Sequence, residues 1–409
     1  MRLGPSRAPL LVALLTAAGL GMPQYAHAAE RSTLVGDPSG WRTRTADAGL
    51  SVQLFANLFP SWKLRGGATD EGGELGHSAS YDLLVHADLG ELAGMRGTTL
   101  LLHVKGQYDR NVNRDVGAIS DPIDDADFDE PIYVDQLWAQ QSFLGGRLRL
   151  RAGFLEQQTV FDRNAYANSE DLQFLGTFLD NGLVPLPNGL GIALIAAPTP
   201  WLELALGVVD GDNRPGRLGF DTAFDDVDSL TVHAEATFRA SLRGPNGELP
   251  GNYRLGVYRD GRERVRFGTT QTRRGAWGAY LSFDQLVLRE ASAGGSPEGL
   301  GVFARAGRAD PDTSAVEWLW SLGVSYLGLL PGRAQDTLAL GLYQAIASDR
   351  FRAAHDPAFD RETGFELYYA LALRPGLVVT PDLQWILDPG PTGAGRNAVI
   401  ATLRVRLSF

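Results

Sequence analysis

The chain has 409 residues, a net charge of −11 and no cysteine. The acidic balance argues against a nucleic-acid partner, which would need a basic face, and the missing cysteines exclude disulfide staples and thiolate chemistry. A mean hydropathy of −0.11, with 49 Gly against three Met, suits a chain in which apolar and polar residues alternate rather than segregate.

The first element in chain order reads as an export signal. Arg2 and Arg7 supply a positive start, Leu10 to Leu20 an apolar stretch, and Ala26-His27-Ala28 a small-residue cleavage pattern. Residues 1–28 are therefore expected to be cleaved, leaving Ala29 as the mature start. No later run is apolar for long enough to form a spanning helix, which needs ~20 residues; Leu190 to Ala197 is bounded by Gly189 and Pro198. An exported chain without a helical span resides in the periplasm, outside the cell, or in the outer membrane.

Residues 29–47 read as a short periplasmic segment. From residue 48 onward the sequence alternates with a period of two, the mark of strands with one apolar and one wet face. Sixteen such segments are expected: 48–60, 80–90, 97–109, 131–142, 146–155, 189–198, 201–210, 227–241, 250–260, 274–288, 299–309, 317–328, 335–348, 362–374, 377–388 and 396–409. Gaps after odd-numbered segments are mostly long and gaps after even-numbered ones mostly short, as in barrels with long external loops and tight periplasmic turns. The gaps 289–298 and 310–316 depart from this rule. In lipid only a helix or a closed barrel satisfies every backbone donor and acceptor. The expected fold is thus all-β: a closed antiparallel transmembrane β-barrel of 16 strands over residues 48–409.

Local exceptions carry their own expectations. Pro381 removes a ladder donor and belongs near a strand start or a bulge. Ile400 breaks the alternation of the last strand. Leu172, Leu175 and Leu179 fall at helical spacing within 164–180, predicting a short loop helix that either packs outside or narrows the lumen. Trp201, Trp277, Trp318, Trp320, Tyr326, Tyr369 and Trp385 read as membrane-interface anchors. The terminal Phe409 looks like the outer-membrane signature read by the barrel-assembly machinery, and outer-membrane lipid and lipopolysaccharide are the expected surroundings.

No catalytic motif is present: no GxxxxGK[ST], no GxSxG, no HExxH. His27, His77, His86, His103, His233 and His355 are scattered, and neither a cofactor nor a metal is expected. Asp121, Asp124, Asp125, Asp127, Asp129 and Glu130 form an acidic run that reads as a solvated external loop, with a calcium site as the alternative. The inward faces are more informative. Arg147, Arg149 and Arg151 make a three-step basic ladder; Lys105, His103, Arg239, Arg305 and Arg374 add cations; Glu203, Glu235, Glu366 and Asp382 supply carboxylates. A lining of both signs suits a polyhydroxylated neutral solute, because Arg offers fixed donors and each hydroxyl both donates and accepts. It also suits a general or weakly ion-selective pore, and an outer-membrane enzyme or a structural barrel stays open as a further reading.

Three stretches resemble the carbohydrate-selective outer-membrane porin family of the OprB type. They are DQLWAQQSFLGGRLRLRAG from Asp135 to Gly153, GVFARAGRADPD from Gly301 to Asp312, and GFELYYALALRPGLVVTPDLQWILDPG from Gly364 to Gly390, followed by the terminal strand. The resemblance implies a sixteen-stranded barrel with loops folded inward and passive diffusion of small sugars such as glucose through an Arg-lined eyelet. It points to Trp138 and Arg151, and also to Arg305, as contacts for small sugars, an aromatic face stacking on the sugar while charged groups take its hydroxyls.

Overall fold

The alternating segments form the wall of a closed antiparallel barrel in a computed structural model that describes residues 33–68, 75–180, 188–213, 229–291, 298–391 and 396–409. The strands are β1 (Leu50–Arg65), β2 (Leu75–Asp88), β3 (Thr98–Tyr108), β4 (Glu130–Phe143), β5 (Leu148–Leu155), β6 (Gly189–Thr199), β7 (Leu202–Val209), β8 (Thr231–Gly244) and β9 (Gly247–Asp260). A small external hairpin, β10 (Arg264–Val265) with β11 (Thr272–Arg273), follows. The wall resumes with β12 (Ala276–Arg289), β13 (Gly299–Ala309), β14 (Val316–Leu327), β15 (Thr337–Ala347), β16 (Arg361–Arg374), β17 (Leu377–Leu387) and β18 (Ala398–Ser408). Each strand pairs with its sequence neighbour around the ring, and β18 closes it on β1 with Phe55 opposite Ser408 and Trp62 opposite Ala401. All sixteen expected segments are strands of this ring, although the first external gap is shorter than expected because β1 runs on to Arg65.

The period of two divides the wall into faces. Leu54, Leu58, Leu204, Leu206, Leu255, Leu281, Leu322 and Leu340 stand exposed on the outside, where lipid replaces water. Asn57, Gln136, Gln140, Arg151, Glu235, Arg305, Glu366 and Arg404 point inward and are buried. Trp201, Trp277, Trp318 and Trp385 are exposed on the outer surface, as the interface reading expects. The periplasmic turn between β16 and β17 is tight: Gly376 turns at φ 76°, where a side chain would also collide with the backbone of Leu34. The segment before the barrel packs at this end through a hydrogen bond of 2.8 Å from Leu34 N to Ser408 O. The expected signal segment lies outside the described residues, as does most of 289–298.

Two exceptions resolve differently from expectation. Pro381 sits in mid-strand, not at a start or a bulge: β17 stays in register with β18 through it, while on the β16 side pairing lapses between Tyr368–Asp382 and Leu371–Val379 and resumes unshifted. The missing donor is absorbed by that lapse. Ile400 is inward-facing and fully buried against Val112, Val116, Ile386 and Ala398. Its apolar character serves a loop that has entered the barrel.

That loop, 109–129, and the described part of the next, 156–180, pack into the lumen. Phe174, Phe178, Leu179, Tyr166 and Ala167 meet inward Tyr258, Tyr280, Phe303, Tyr343 and Tyr368 in one cluster. Ile123 and Ala126 of the first loop meet Leu175 of the second and Phe59 of β1. Gly341 makes room: a Cβ there would stand 2.8 Å from both Leu179 and Phe174. The helix expected over 164–180 shrinks to one turn, Thr177–Asp180, because Leu175 and Leu179 bury into different clusters rather than along one stripe.

Candidate functional site

The inward polar residues divide into two groups according to what they bind. On β13–β18 and β1–β3 they hold loops. Arg305 reaches Asp162 Oδ1 at 3.2 Å, Leu179 O at 3.1 Å and Ala167 O at 2.5 Å. Glu366 accepts from Leu175 N at 2.5 Å and Gly176 N at 3.0 Å, with Asp382 beside it and hydrogen-bonded by Gln384 at 3.3 Å. Glu362 accepts from Ile119, Ser120 and Gly390 backbone N–H groups at 2.7, 3.0 and 2.9 Å. Lys105 pairs with Glu170 at 2.6 Å and Asp125 at 3.0 Å. Arg404 donates to Glu170 O at 2.7 Å. On β8, Glu235 accepts from Asp162 N at 2.8 Å and Tyr280 Oη at 2.6 Å. Carboxylates that cap loop N–H groups, and cations that take loop carbonyls, satisfy backbone groups that burial would otherwise orphan.

The second group lies on β4, β5, β7 and β8. Arg151 lies with its guanidinium carbon 4.0 Å from the Trp138 ring centre and donates to Gln140 at 3.2 and 3.3 Å and to Thr159 at 3.0 Å. Trp138 Nε1 donates to Gln136 at 3.0 Å, and Gln136 in turn donates to Glu156 at 2.5 Å. A cation over the indole face, with the ring nitrogen fixed, leaves neither side chain free to rotate. Below them Glu203 is bridged by three guanidiniums, Arg149, Arg163 and Arg239, each at 2.7 Å. Arg163 comes from the inward loop, and Arg239 keeps 41% of its side chain exposed, the wettest edge of the group.

The expected residues are therefore distributed unequally. Trp138, Arg149, Arg151 and Glu203 come together, joined by Arg239; Lys105, Glu235, Arg305, Glu366 and Asp382 lie among the loop anchors. Arg147 is not a rung of the ladder: it lies in the turn before β5, exposed at the periplasmic rim, so the ladder has two steps. Arg374 likewise ends β16 at that rim, exposed. Gln136 and Gln140 share the inward parity of Trp138 and were readable from it. Thr159, Arg163, Glu156 and the Glu362 and Arg404 anchors were not, since their roles depend on where a loop goes.

The acidic run is solvated only in part, at Asp127 and Asp129, and is not a single nest of cation ligands. Asp125 is buried between Lys105 and the Ser80 hydroxyl, Asp124 accepts from Thr177 Oγ1 at 2.8 Å, and Asp129 from Asp109 N at 2.8 Å. Burial, then neighbouring carboxylates, pushes Asp121 and Asp124 up to about 6. Burial, then Asp135, similarly raises Glu156 to about 7. Among the described residues one set, His103, Asp135 and Glu156, brings donor atoms within 4.8 Å of one another. Both ring nitrogens of His103 are engaged there, by Asp82 at 2.7 Å and Asp135 at 3.2 Å, which makes the set an ion-pair clamp at the root of the second loop.

Comparison with known proteins places this geometry. The model of the "Carbohydrate-selective porin, OprB family" matches residues 74–409. The chain belongs to that family. This porin is 24% identical to Porin B of Pseudomonas aeruginosa, with 97% of this chain and 96% of that one covered. It is 22% identical to the putative porin QuiX of Acinetobacter baylyi, with 93% and 94% covered. Its fold matches the high-pH structure of Pseudomonas putida OprB with a TM-score of 0.81 at 22% identity, covering 93% of this chain and 99% of that one. The sixteen-stranded outer-membrane barrel and its role as a carbohydrate porin follow from family and fold together.

Proposed function

We propose that the β4–β8 wall is where this porin recognises its solute, and that the solute is a small glucose-like mono- or oligosaccharide moving passively into the periplasm. The observation that carries this is the Arg149–Arg163–Arg239 bracket on Glu203 beside the Trp138–Arg151 stack. Glu203 fixes the Arg239 guanidinium, the exposed member of the bracket, so its remaining N–H groups meet a sugar's hydroxyls without first paying to be ordered. The Trp138 indole, 5% exposed and packed with Leu155 and Phe161, supports the Arg151 guanidinium from behind and does not itself meet the sugar. Such hydroxyl contacts replace water one for one and stay weak, as transport requires. No catalytic step, metal or cofactor enters this reading. Residues 1–28 act as the export signal, and Phe409 is offered to the barrel-assembly machinery.

A second reading rests on the same wall. Four guanidiniums, those of Arg149, Arg151, Arg163 and Arg239, gather on this wall, and among the described residues three of them share Glu203, an arrangement that favours small anions. The test is single-channel recording in a planar bilayer. Saturable block by glucose, maltose or sucrose supports the sugar reading; a strong anion reversal potential in a salt gradient, with no sugar block, replaces it with the second.

A further inference from the structure

One outward feature takes no part in the lumen. At the external end of the wall a row runs across six strands, in register except for one diagonal step where Arg308 stands opposite Ala279, two residues from Trp277. Trp277 on β12 is directly opposite Arg259 on β9, and Arg308 on β13 is opposite Trp318 on β14. Trp318 is opposite Ile346 on β15, and Ile346 is opposite Arg361 at the start of β16. All three arginines are exposed, and each stands within two residues of the outer end of its strand. The Arg308 guanidinium lies between two indoles, 5.7 Å from the Trp277 ring and 5.1 Å from that of Trp318.

The charges facing this row can be named. Glu317 pairs with Arg308 at 2.7 Å, and Asp360 pairs with Arg361 at 2.5 Å. Arg259 carries no ion pair or side-chain hydrogen bond among the described residues, and its guanidinium rests against Gly275. At interface height an outward cation is tolerated at little cost, and an anion of the headgroup layer offsets it. Indoles at this height mark the boundary between hydrocarbon and headgroups. On the opposite wall Arg65 ends β1 exposed, in line with Val399 and Trp385, and Arg110 lies over the Tyr108 ring at 5.5 Å, but among the described residues neither stands between two indoles as Arg308 does. The feature belongs to one sector and is not a general belt.

We propose that the Arg259–Trp277–Arg308–Trp318 row is a docking site for a phosphorylated glycolipid of the outer leaflet. A phosphate takes Arg259 in bidentate geometry and Nη1 of Arg308, whose Nε and Nη2 stay on Glu317, and the indoles lie against the sugar faces and upper acyl carbons of the same lipid. Both chemistries are needed, which selects a phosphoglycolipid over a simple anionic phospholipid.

The experiment is native mass spectrometry of the full-length barrel in detergent. It is titrated with bisphosphorylated lipid A, the same lipid dephosphorylated, and phosphatidylglycerol. Wild type should bind lipid A about ten-fold more tightly than either competitor, and the Arg259→Gln/Arg308→Gln double variant should lose that margin. Both side chains are outside the lumen, so heat-modifiable gel mobility and sugar block report whether the variant folds as wild type does. A separate Trp277→Leu variant should lose the preference for lipid A over phosphatidylglycerol. Equal binding of wild type and double variant, or wild-type binding that ignores the phosphates, overturns the site. Equal affinity for phosphatidylglycerol overturns the glycolipid assignment.

Discussion

The two sides of the lumen use the same residue types for different ends. On β13–β18 and β1–β3, Arg305, Glu366, Glu362 and Lys105 face inward and are consumed by loop backbone and loop carboxylates. On β4–β8, Arg149 and Arg239 share Glu203, while Arg151 is held by Gln140, Thr159 and the Trp138 ring. An inward charge in a porin is thus not by itself a pore-lining charge. What separates the two is whether a loop backbone group lies within hydrogen-bond reach.

The strongest way to break the comparison is Arg305→Ala. It strands the buried Asp162 carboxylate and three loop carbonyls, those of Asp162, Ala167 and Leu179, and losing one partner of a buried pair costs ~3–5 kcal/mol. The second loop should leave the lumen, raising single-channel conductance several-fold while heat-modifiable mobility shows an intact barrel. An unchanged conductance would mean that Arg305 does not hold the loop. Gly341→Val acts on the same dock through volume. Its side chain meets Leu179 and Phe174, overpacking costs ~1–3 kcal/mol, and a smaller conductance rise in the same direction is expected.

On the other side, Glu203→Gln releases three guanidiniums from one carboxylate. Reversal potentials in a salt gradient should move toward anion selectivity, and sugar block should weaken about ten-fold, or about 1.4 kcal/mol. If neither changes, the bracket is not in the solute path.

The smallest effect is pH. Asp121 and Asp124 are raised to about 6 in the folded loop from an ordinary 3.8. A raised carboxyl favours the docked loop when protonated; that contribution is full below about 4 and is lost as pH rises through about 6. Conductance should therefore be slightly lower at pH 5 than at pH 7, measured at constant salt. The opposite slope would place these carboxyls elsewhere.

How much of this the sequence disclosed follows the same division. The sixteen strands, their faces and the short-turn end were legible because period-two alternation is a local property. Trp138, Arg149, Arg151 and Glu203 were legible for the same reason: parity puts them inward. Arg147 shares that parity and misled, since parity does not say where a strand begins. The assignment of Glu366 and Arg305 to loops was invisible, because it depends on contacts more than 120 residues away in the chain. Ile400 was the one overlooked hint: an apolar residue on a polar face announced that something apolar enters the lumen.

The most direct test of the account is sugar titration of single-channel current for wild type and Arg239→Gln, side by side. Arg239 is the exposed edge of the bracket, and no loop depends on it in the described residues. The account predicts saturable sugar block in the wild type and a several-fold weaker block in Arg239→Gln. Equal block by both, with wild-type sugar sensitivity intact, would place recognition away from the β4–β8 wall and contradict it.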